Sequence, residues 1–317
     1  MKRSRWWMVA AVPFVLVGGL TAVQRLDPKG SSDLLLGLER SRAGLNLERV
    51  QVDGYEVAYL DSGPWANRET IVMLHGIGAD KDHFTRVSAP LTERYRVISI
   101  DLPGFGDSTR TNLPWDIPAQ TARLNRIVTT LGLTRFHLGG SSMGGFIALR
   151  YAEAHPHDVL SLWLLDPAGV DGVKVTPVVA DAAVTGRSAL FARNPEDVEA
   201  IFTLVFSHPP FLPWSVKQTH TEQMVRDESL HQQIYKAVRA SEPVNASAPN
   251  IATPTLIVWG DDDRVLDVSG GQVLVKLLPH ARLEVMPGLG HLPMLEDPKG
   301  CAVSYLKFLN ELPKSQL

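Results

Sequence analysis

The stretch that decides the fold runs from residue 140 to residue 145 and reads Gly140-Ser141-Ser142-Met143-Gly144-Gly145. An apolar, β-like run at residues 135–139 precedes it, and a helix-like run at residues 146–154 follows it. The pattern G-x-S-x-G between a strand and a helix predicts a sharp turn, because small flanking residues let the two backbones approach closely. The serine at the apex is then held in a strained conformation. We therefore expect Ser142 to be an exposed nucleophile at the end of a strand.

The composition is that of an ordinary globular protein. The 317 residues are 44% hydrophobic and 21% charged, and the net charge is −3 with a pI of about 6.4. This small charge gives no support for a nucleic acid partner. The single cysteine, Cys301, excludes an internal disulfide framework. We expect one large domain with an insertion.

Residues 1–26 have the pattern of a membrane anchor. Three basic residues among the first five precede an uncharged run at residues 6–23, long enough to span a bilayer as a helix. The positive charges predict a cytoplasmic N-terminus, with the folded domain on the periplasmic or extracellular side. A cleaved signal peptide, which would give a secreted protein, is the alternative. Residues 27–46 are polar and are expected to form a linker.

Alternating segments in the remaining chain predict a mostly parallel sheet. Asp53-Gly54 lies between two alternating runs, which is typical of an antiparallel hairpin. Further along, continuous apolar runs alternate with helix-like segments, as in a parallel sheet with helices on both faces. These segments assign residues 47–169 and 251–317 to one core. The expected strands of that core lie at residues 70–74, 95–100, 136–139, 160–165, 255–259 and 282–285.

In residues 170–250, which we call the lid, the alternation of strands and helices stops, and the sequence pattern predicts helices only. Asn194-Pro195-Glu196 has the pattern of a helix start. An insertion of this length between two strands is most economically a helical subdomain over the strand ends, where ligands bind. Its large apolar side chains are candidates either for a substrate pocket or for the lid's own core. These side chains are Phe202, Phe206, Phe211, Leu212 and Trp214.

Serine, aspartate and histidine follow predicted strands, in the order Ser142, residues 261–263 and His291. A serine hydroxyl is a weak nucleophile at neutral pH, so it needs a base, and the base needs a partner that holds its tautomer. The backbone N–H of Met143, directly after the serine, is a candidate donor to an oxyanion. The sequence therefore predicts a catalytic triad.

The chain resembles the α/β hydrolases, in which the triad residues occur in this order. The resemblance covers about residues 50–312 and rests on the serine turn, His75-Gly76, Trp259-Gly260-x-x-Asp263 and Gly290-His291. It implies the α/β-hydrolase fold with a helical lid insertion. It also implies a triad of Ser142, Asp263 and His291, and it assigns a second oxyanion donor to the backbone N–H of Ile77.

Asp166 is the alternative acid, because it ends the strand after the serine turn, where some hydrolases place theirs. Asp followed by Pro is also an ordinary turn signal, and we favour Asp263. His75 is expected to brace the oxyanion loop by hydrogen bonds, since His291 fills the role of base. The other histidines lack metal-ligand spacing and no dinucleotide pattern is present, so we expect no metal and no cofactor.

Among serine members, the chain is most similar to membrane-anchored monoacylglycerol lipases and cold-adapted bacterial lipases. The resemblance lies in the N-terminal anchor, in residues 141–145 and in residues 259–270. It implies hydrolysis of lipid-like esters through an acyl-enzyme on Ser142, with the lid aromatics as candidates for the acyl pocket. The oligomeric state is not indicated.

Two other functions stay open. One is a carbon–carbon bond hydrolase of dienoic ring-cleavage products, which uses the same triad and usually binds a substrate carboxylate with a lid arginine. The other is a non-catalytic receptor or scaffold built on a hydrolase fold. The lid arginines available for the first function are Arg187, Arg193, Arg226 and Arg239.

Overall fold

The computed structural model describes residues 24–64, 68–110 and 113–313. An eight-stranded sheet runs through the molecule in the order β1-β2-β4-β3-β5-β6-β7-β8. The strands are β1 (Asn46–Val52), β2 (Tyr55–Asp61), β3 (Thr70–Leu74), β4 (Arg96–Ile100), β5 (Phe136–Ser141), β6 (Val159–Leu165), β7 (Thr255–Gly260) and β8 (Ala281–Met286). β1 and β2 form the expected antiparallel hairpin, β2 pairs antiparallel with β4, and all later pairs are parallel. The predicted mostly parallel sheet is confirmed.

Helices cover both faces of this sheet. In the core they are α1 (Pro28–Arg42), a 3-10 turn (Lys81–Phe84) leading into α2 (Thr85–Ser88), α3 (Ile117–Thr130), α4 (Met143–Ala154), α8 (Ser269–Leu277), α9 (Pro293–Glu296) and α10 (Pro298–Glu311). In the lid they are α5 (Pro177–Thr185), α6 (Asp197–Val205), α7 (Trp214–Arg239) and two 3-10 turns (Val244–Ala246 and Ala248–Asn250). The insertion at residues 170–250 is thus helical and contains no strand.

The central strands are apolar throughout because both faces of the sheet are covered. All residues of β3, β5, β6 and β7 are buried. Along β3, Val72 and Leu74 belong to the core on one face, while Ile71 and Met73 belong to the core on the other. This alternation follows from the two-residue period of a strand, and it places the carboxyl ends of the parallel strands at one edge.

The stretch expected to be a linker is largely helical. Asp27 caps α1 by accepting a hydrogen bond from the backbone N–H of Gly30, and Pro28 occupies the first turn, where a missing N–H costs nothing. α1 packs against α7 of the lid. On the other side, Arg40 joins it to the core through two hydrogen bonds to Asp82, at 2.7 and 2.6 Å. The helix therefore connects the lid with the core.

The predicted membrane anchor lies almost wholly outside the described residues, which begin at Gln24. Within residues 24–64, 68–110 and 113–313, none of the helices has both the length and the hydropathy needed to cross a bilayer. The anchor therefore stays a prediction from the sequence.

Candidate active site

Ser142 lies in the sharp turn between β5 and α4. Its φ of 51° and ψ of −117° are strained for a residue with a side chain. A Cβ at Gly140 would come within 2.3 Å of the carbonyl oxygen of Gly144, and a Cβ at Gly144 within 2.2 Å of that of Leu74. Only glycine permits this approach, as the sequence pattern indicates. The serine is 8% exposed rather than open to solvent, and it faces two cavities that lid residues help to line.

His291 is hydrogen bonded to Asp263, with 2.8 Å between Nδ1 and Oδ2. The other carboxylate oxygen of Asp263 accepts the backbone N–H groups of Val265, at 2.7 Å, and Leu266, at 2.9 Å. These contacts fix the position of the carboxyl group, and its hydrogen bond to the ring holds the proton of the imidazole on Nδ1. Nε2 of His291 is then the nitrogen available to act as a base.

The lid contributes to the position of this histidine. The backbone N–H of His291 donates to the carbonyl oxygen of Val205, the last residue of α6, at 2.9 Å. The preceding N–H of Gly290 donates to Glu296 at 2.8 Å. The histidine loop is therefore held from one side by the core and from the other by the lid.

Asp166 lies beside this pair but does not take the place of Asp263. Its Oδ1 accepts the N–H of Gly260 at 3.0 Å, and its Oδ2 is buried without a hydrogen-bond partner among the described residues. Burial, together with the nearby charge of Asp263, raises the pKa of Asp166 well above its usual range. We therefore take Asp166 to be a neutral acid.

Asp166, Asp263 and His291 are also the one group in the described part of the chain whose ligand atoms are close enough to hold a metal, all lying within 4.8 Å of one another. In this arrangement, however, both oxygens of Asp263 and Nδ1 of His291 are engaged in hydrogen bonds. The arrangement is that of a carboxyl group, Asp263, that orients a histidine, His291, through a hydrogen bond.

The two expected oxyanion donors flank Ser142. Met143 is the first residue of α4, where a backbone N–H has no carbonyl partner within the helix. Ile77 lies in the loop after β3, and a Cβ at the adjacent Gly76 would be only 3.1 Å from Cβ of Ser142. Both backbone segments therefore lie against the serine, as stabilisation of an oxyanion requires.

His75 braces the oxyanion loop. Its Nε2 accepts the backbone N–H of Leu102 at 3.0 Å, so its Nδ1 carries the proton and donates to the carbonyl oxygen of Gly76 at 2.6 Å. Burial lowers the pKa of His75 to about 4, which keeps the ring neutral near neutral pH.

A buried ion-pair network supports the same loop and was not predicted from the sequence. The Lys81 ammonium lies 2.8 Å from a carboxylate oxygen of Asp101 and 2.7 Å from one of Asp107. Burial alone would lower the pKa of Lys81, but the surrounding carboxylates raise it. The ammonium group therefore stays charged. Asp101 and Asp107 both follow β4 in the chain. Their lysine partner is 20 and 26 residues away in the chain, and no local pattern connects them.

Two cavities meet at Ser142. The first, of about 290 Å³, we call the valine cavity, because the lid residues Val170, Val173, Val178 and Val179 line it. The second, of about 200 Å³, we call the histidine cavity, and its wall includes His83, His220 and His291. An ester carbonyl placed at the serine could therefore extend its two substituents into two different chambers.

Comparison with known proteins identifies the family. The model of the alpha/beta hydrolase family matches residues 71–303. The chain belongs to the α/β hydrolase family. Lipase 1 of Psychrobacter immobilis is 32% identical over 97% of this chain and 98% of its own length. Monoacylglycerol lipase ABHD6 of Rattus norvegicus is 29% identical over 93% of this chain and 94% of its own length.

A solved structure gives the same result for this α/β hydrolase. The crystal structure of a membrane phospholipase A, described as a novel bacterial virulence factor, has 38% sequence identity and a TM-score of 0.87, and the match covers 98% of both chains. The predicted fold and family are confirmed. The prediction that the chain is an enzyme is also confirmed, which argues against a non-catalytic scaffold.

The lid aromatics of this α/β hydrolase divide into two groups. Phe202 and Phe206 line the histidine cavity together with Leu212. Phe211 and Trp214, which were also candidates for a substrate pocket, line neither cavity and are 82% and 45% exposed. They lie where the chain turns into α7, and that turn directs both side chains outward.

The lid arginines of this hydrolase give little support for binding a substrate carboxylate. Arg239 is exposed at the end of α7 and borders the valine cavity. The other three are already ion-paired, as Arg187 with Glu228, Arg193 with Asp197, and Arg226 with Asp227.

Proposed function

We propose that this enzyme hydrolyses lipid-like carboxylic esters, monoacylglycerols in particular, through an acyl-enzyme on Ser142. The observation that carries the proposal is the His291–Asp263 hydrogen bond at the wall of a cavity that also contains the strained serine. A nucleophile, a base and an acid that orients the base are the parts that acyl transfer requires.

In the proposed reaction, the Ser142 hydroxyl attacks the ester carbonyl while Nε2 of His291 takes its proton. The tetrahedral oxyanion accepts hydrogen bonds from the N–H groups of Ile77 and Met143. His291 then protonates the leaving alcohol, and the acyl group remains on the serine. Water, activated by the same histidine, releases the carboxylic acid. Asp263 stabilises the imidazolium in both steps.

The acyl chain is assigned to the valine cavity, and not to the histidine cavity that Phe202 and Phe206, two of the expected acyl-pocket residues, line. The lid wall of the valine cavity is rich in branched aliphatic side chains, and transfer of each methylene from water to such surroundings contributes about 0.8 kcal/mol. The similarity to Lipase 1 and to monoacylglycerol lipase ABHD6 supports a lipid ester as substrate. Hydrolysis of a phospholipid ester is the second candidate, and the 38% identity to a membrane phospholipase A favours it.

We also propose that residues 1–26 anchor the enzyme in a membrane, with the hydrolase domain on the periplasmic or extracellular side. The support is the uncharged run at residues 6–23 after three basic residues. Immediately after the uncharged run, Gln24 accepts a hydrogen bond from the N–H of Ser215 in the lid, at 3.3 Å. Such an anchor would place the lid near the bilayer, where lipid esters are concentrated. Secretion after cleavage is the alternative.

The test is labelling with an active-site phosphonate, combined with rates on p-nitrophenyl esters of increasing chain length. The wild-type enzyme should take up one label at Ser142. Ser142→Ala should lose the label and at least about 10⁴-fold in kcat. Ser141→Ala is the matched control, because Ser141 is a fully buried neighbour in the same turn, and it should keep both. Ester turnover that survives in Ser142→Ala would contradict the acyl-enzyme.

A further inference from the structure

The histidine cavity contains hydrogen-bonding groups that the protein itself leaves unused. Asp80 accepts the N–H of Asp82 with Oδ1, at 2.9 Å, and no described residue donates to its Oδ2. The Nδ1 atom of His83 is buried and has no partner in the described part of the chain. His220 and Gln223, one turn apart on α7, likewise make no side-chain hydrogen bond to a described residue and line the same cavity. The buried Nδ1 of His83 is costly to leave unpaired, and the other three groups line a half-open cavity where the hydroxyls of a ligand can replace water, which indicates a polar ligand.

The charges around this cavity argue against an anionic ligand. Glu39, Asp80 and Asp82 line it, and Arg86 is the one lysine or arginine in its described wall. Arg86 is already paired with Glu39 at 2.6 Å. Asp82 is paired with Arg40, also at 2.6 Å. No unpaired cation of this kind is therefore left among the described lining residues to meet a phosphate.

Asp80 itself is the charge that a ligand would meet. Burial alone would raise the pKa of Asp80, but the neighbouring histidines and Lys81 lower it to about 2. The side chain is therefore a carboxylate at neutral pH. An ionised carboxylate accepts hydrogen bonds and donates none. It suits hydroxyl groups, whereas it repels a second anion placed beside it.

We propose that the histidine cavity binds the alcohol part of the ester as a neutral diol, such as the glycerol of a monoacylglycerol. One hydroxyl donates to Asp80, and the side chains of Gln223 and His220 hydrogen bond to the other. Because Ser142 lines both cavities, an ester held there directs its acyl chain into the valine cavity and its glycerol into the histidine cavity. This assignment rests on the proposed ester hydrolysis and adds the basis of headgroup selection.

The test compares esters with the same acyl chain, 1-oleoylglycerol and methyl oleate, in Gln223→Leu and in a matched control. The control is Gln233→Leu, which changes an exposed glutamine of the same helix that lines neither cavity. In Gln223→Leu, we expect kcat/KM for 1-oleoylglycerol to fall about 5- to 10-fold, the effect of about one lost hydrogen bond, and that for methyl oleate to change less than twofold. Gln233→Leu should leave both rates unchanged.

A second variant tests the charge. Asp80→Asn keeps the volume and removes the carboxylate, so we expect the rate on 1-oleoyl-lysophosphatidylglycerol, relative to 1-oleoylglycerol, to rise about tenfold. Thermal unfolding of each variant shows whether it is folded.

The outcomes separate this proposal from the one on which it rests. An equal loss on both oleoyl esters in Gln223→Leu would overturn the headgroup site. So would a wild-type preference for 1-oleoyl-lysophosphatidylglycerol over 1-oleoylglycerol, and this result would favour the phospholipid candidate. If methyl oleate is hydrolysed as fast as 1-oleoylglycerol, the ester hydrolase stands and the diol site falls. If no ester is hydrolysed, both fall.

Discussion

The loops at the carboxyl ends of the strands and the lid are held by different kinds of contact. Asp263, His75 and the backbone around Ser142 are held by buried hydrogen bonds, each with a specific partner. Several lid contacts are ion pairs at the surface, such as Arg187 with Glu228 and Lys217 with Glu199. Exposed ion pairs of this kind contribute about 0–1 kcal/mol each. We therefore expect substitutions of the proposed catalytic groups to reduce activity strongly, and substitutions in the lid to change mainly the substrate preference.

The largest effect should separate the two aspartates at the strand ends. Asp263→Asn places an amide against Nδ1 of His291 and favours the wrong tautomer, so we expect kcat to fall about 10³- to 10⁴-fold. Asp166→Asn replaces a neutral acid by a neutral amide of the same shape. Its carbonyl still accepts the N–H of Gly260, and we expect less than about tenfold loss. Steady-state rates on a soluble ester check both values, and the reverse order would contradict the assignment.

The pH profile of Asp166→Asn sharpens this contrast. If Asp166 is neutral, the acid limb of kcat/KM, which reports protonation of His291, should stay where it is in the wild type. An ionised Asp166 would stabilise the imidazolium, and its replacement by Asn would move that limb to lower pH. Such a shift would show that Asp166, too, carries charge.

An intermediate effect should appear in stability against acid, through His231 of the lid. His231 stacks on Phe105 of the core with 4.7 Å between ring centroids, and burial lowers its pKa to about 4. The unfolded chain binds this proton below about pH 6.5, but the folded protein does so only near pH 4. The stability that the neutral His231 ring contributes is therefore full above pH 6.5 and is lost as the pH falls from 6.5 to 4.

Replacement of this histidine should flatten the pH dependence. From pH 7 to pH 4.5, we expect the free energy of unfolding to fall less in His231→Phe than in the wild type. The difference between the two falls should be up to about 3 kcal/mol. Urea unfolding at the two pH values measures the difference. His280→Phe changes an exposed histidine and should follow the wild type. Equal slopes for all three proteins would mean that His231 is not the group that binds the proton.

The smallest effect should be a change in chain-length preference from the lid. Val179→Phe on α5 fills part of the valine cavity, so the optimum among p-nitrophenyl esters should move to shorter chains. We expect the ratio of long-chain to short-chain kcat/KM to fall about 3- to 10-fold, since each excluded methylene is worth about 0.8 kcal/mol. Val184→Phe, on the same helix but 88% exposed, is the control. The same profile in both variants would place the acyl chain elsewhere.

The sheet and the serine turn could be predicted because their signals are local. Runs such as residues 70–74 are apolar throughout only where both faces of a strand are covered, and the glycines around Ser142 have a direct steric reason. The position of the lid in the chain follows from the point where the alternation of strands and helices stops. The predicted fold was therefore accessible from the sequence alone.

Other features depend on contacts between distant segments. The choice between Asp166 and Asp263 rested on resemblance, since both end strands, and the geometry now gives the hydrogen bond to His291 to Asp263 alone. α1 looked like a linker, because its polar sequence has little helical signal without the lid helix that it packs against. The outward direction of Phe211 depends on a turn whose geometry the sequence does not reveal.

α1 also bears on where the functional unit of this enzyme begins. The family match starts at residue 71, yet Leu36 and Glu39 of α1 form part of the wall of the histidine cavity. A fragment cut at the family boundary would retain every predicted catalytic residue and lose one side of a chamber beside Ser142. Within this family, substrate preference is therefore best compared over chains that include the helix ahead of the matched region.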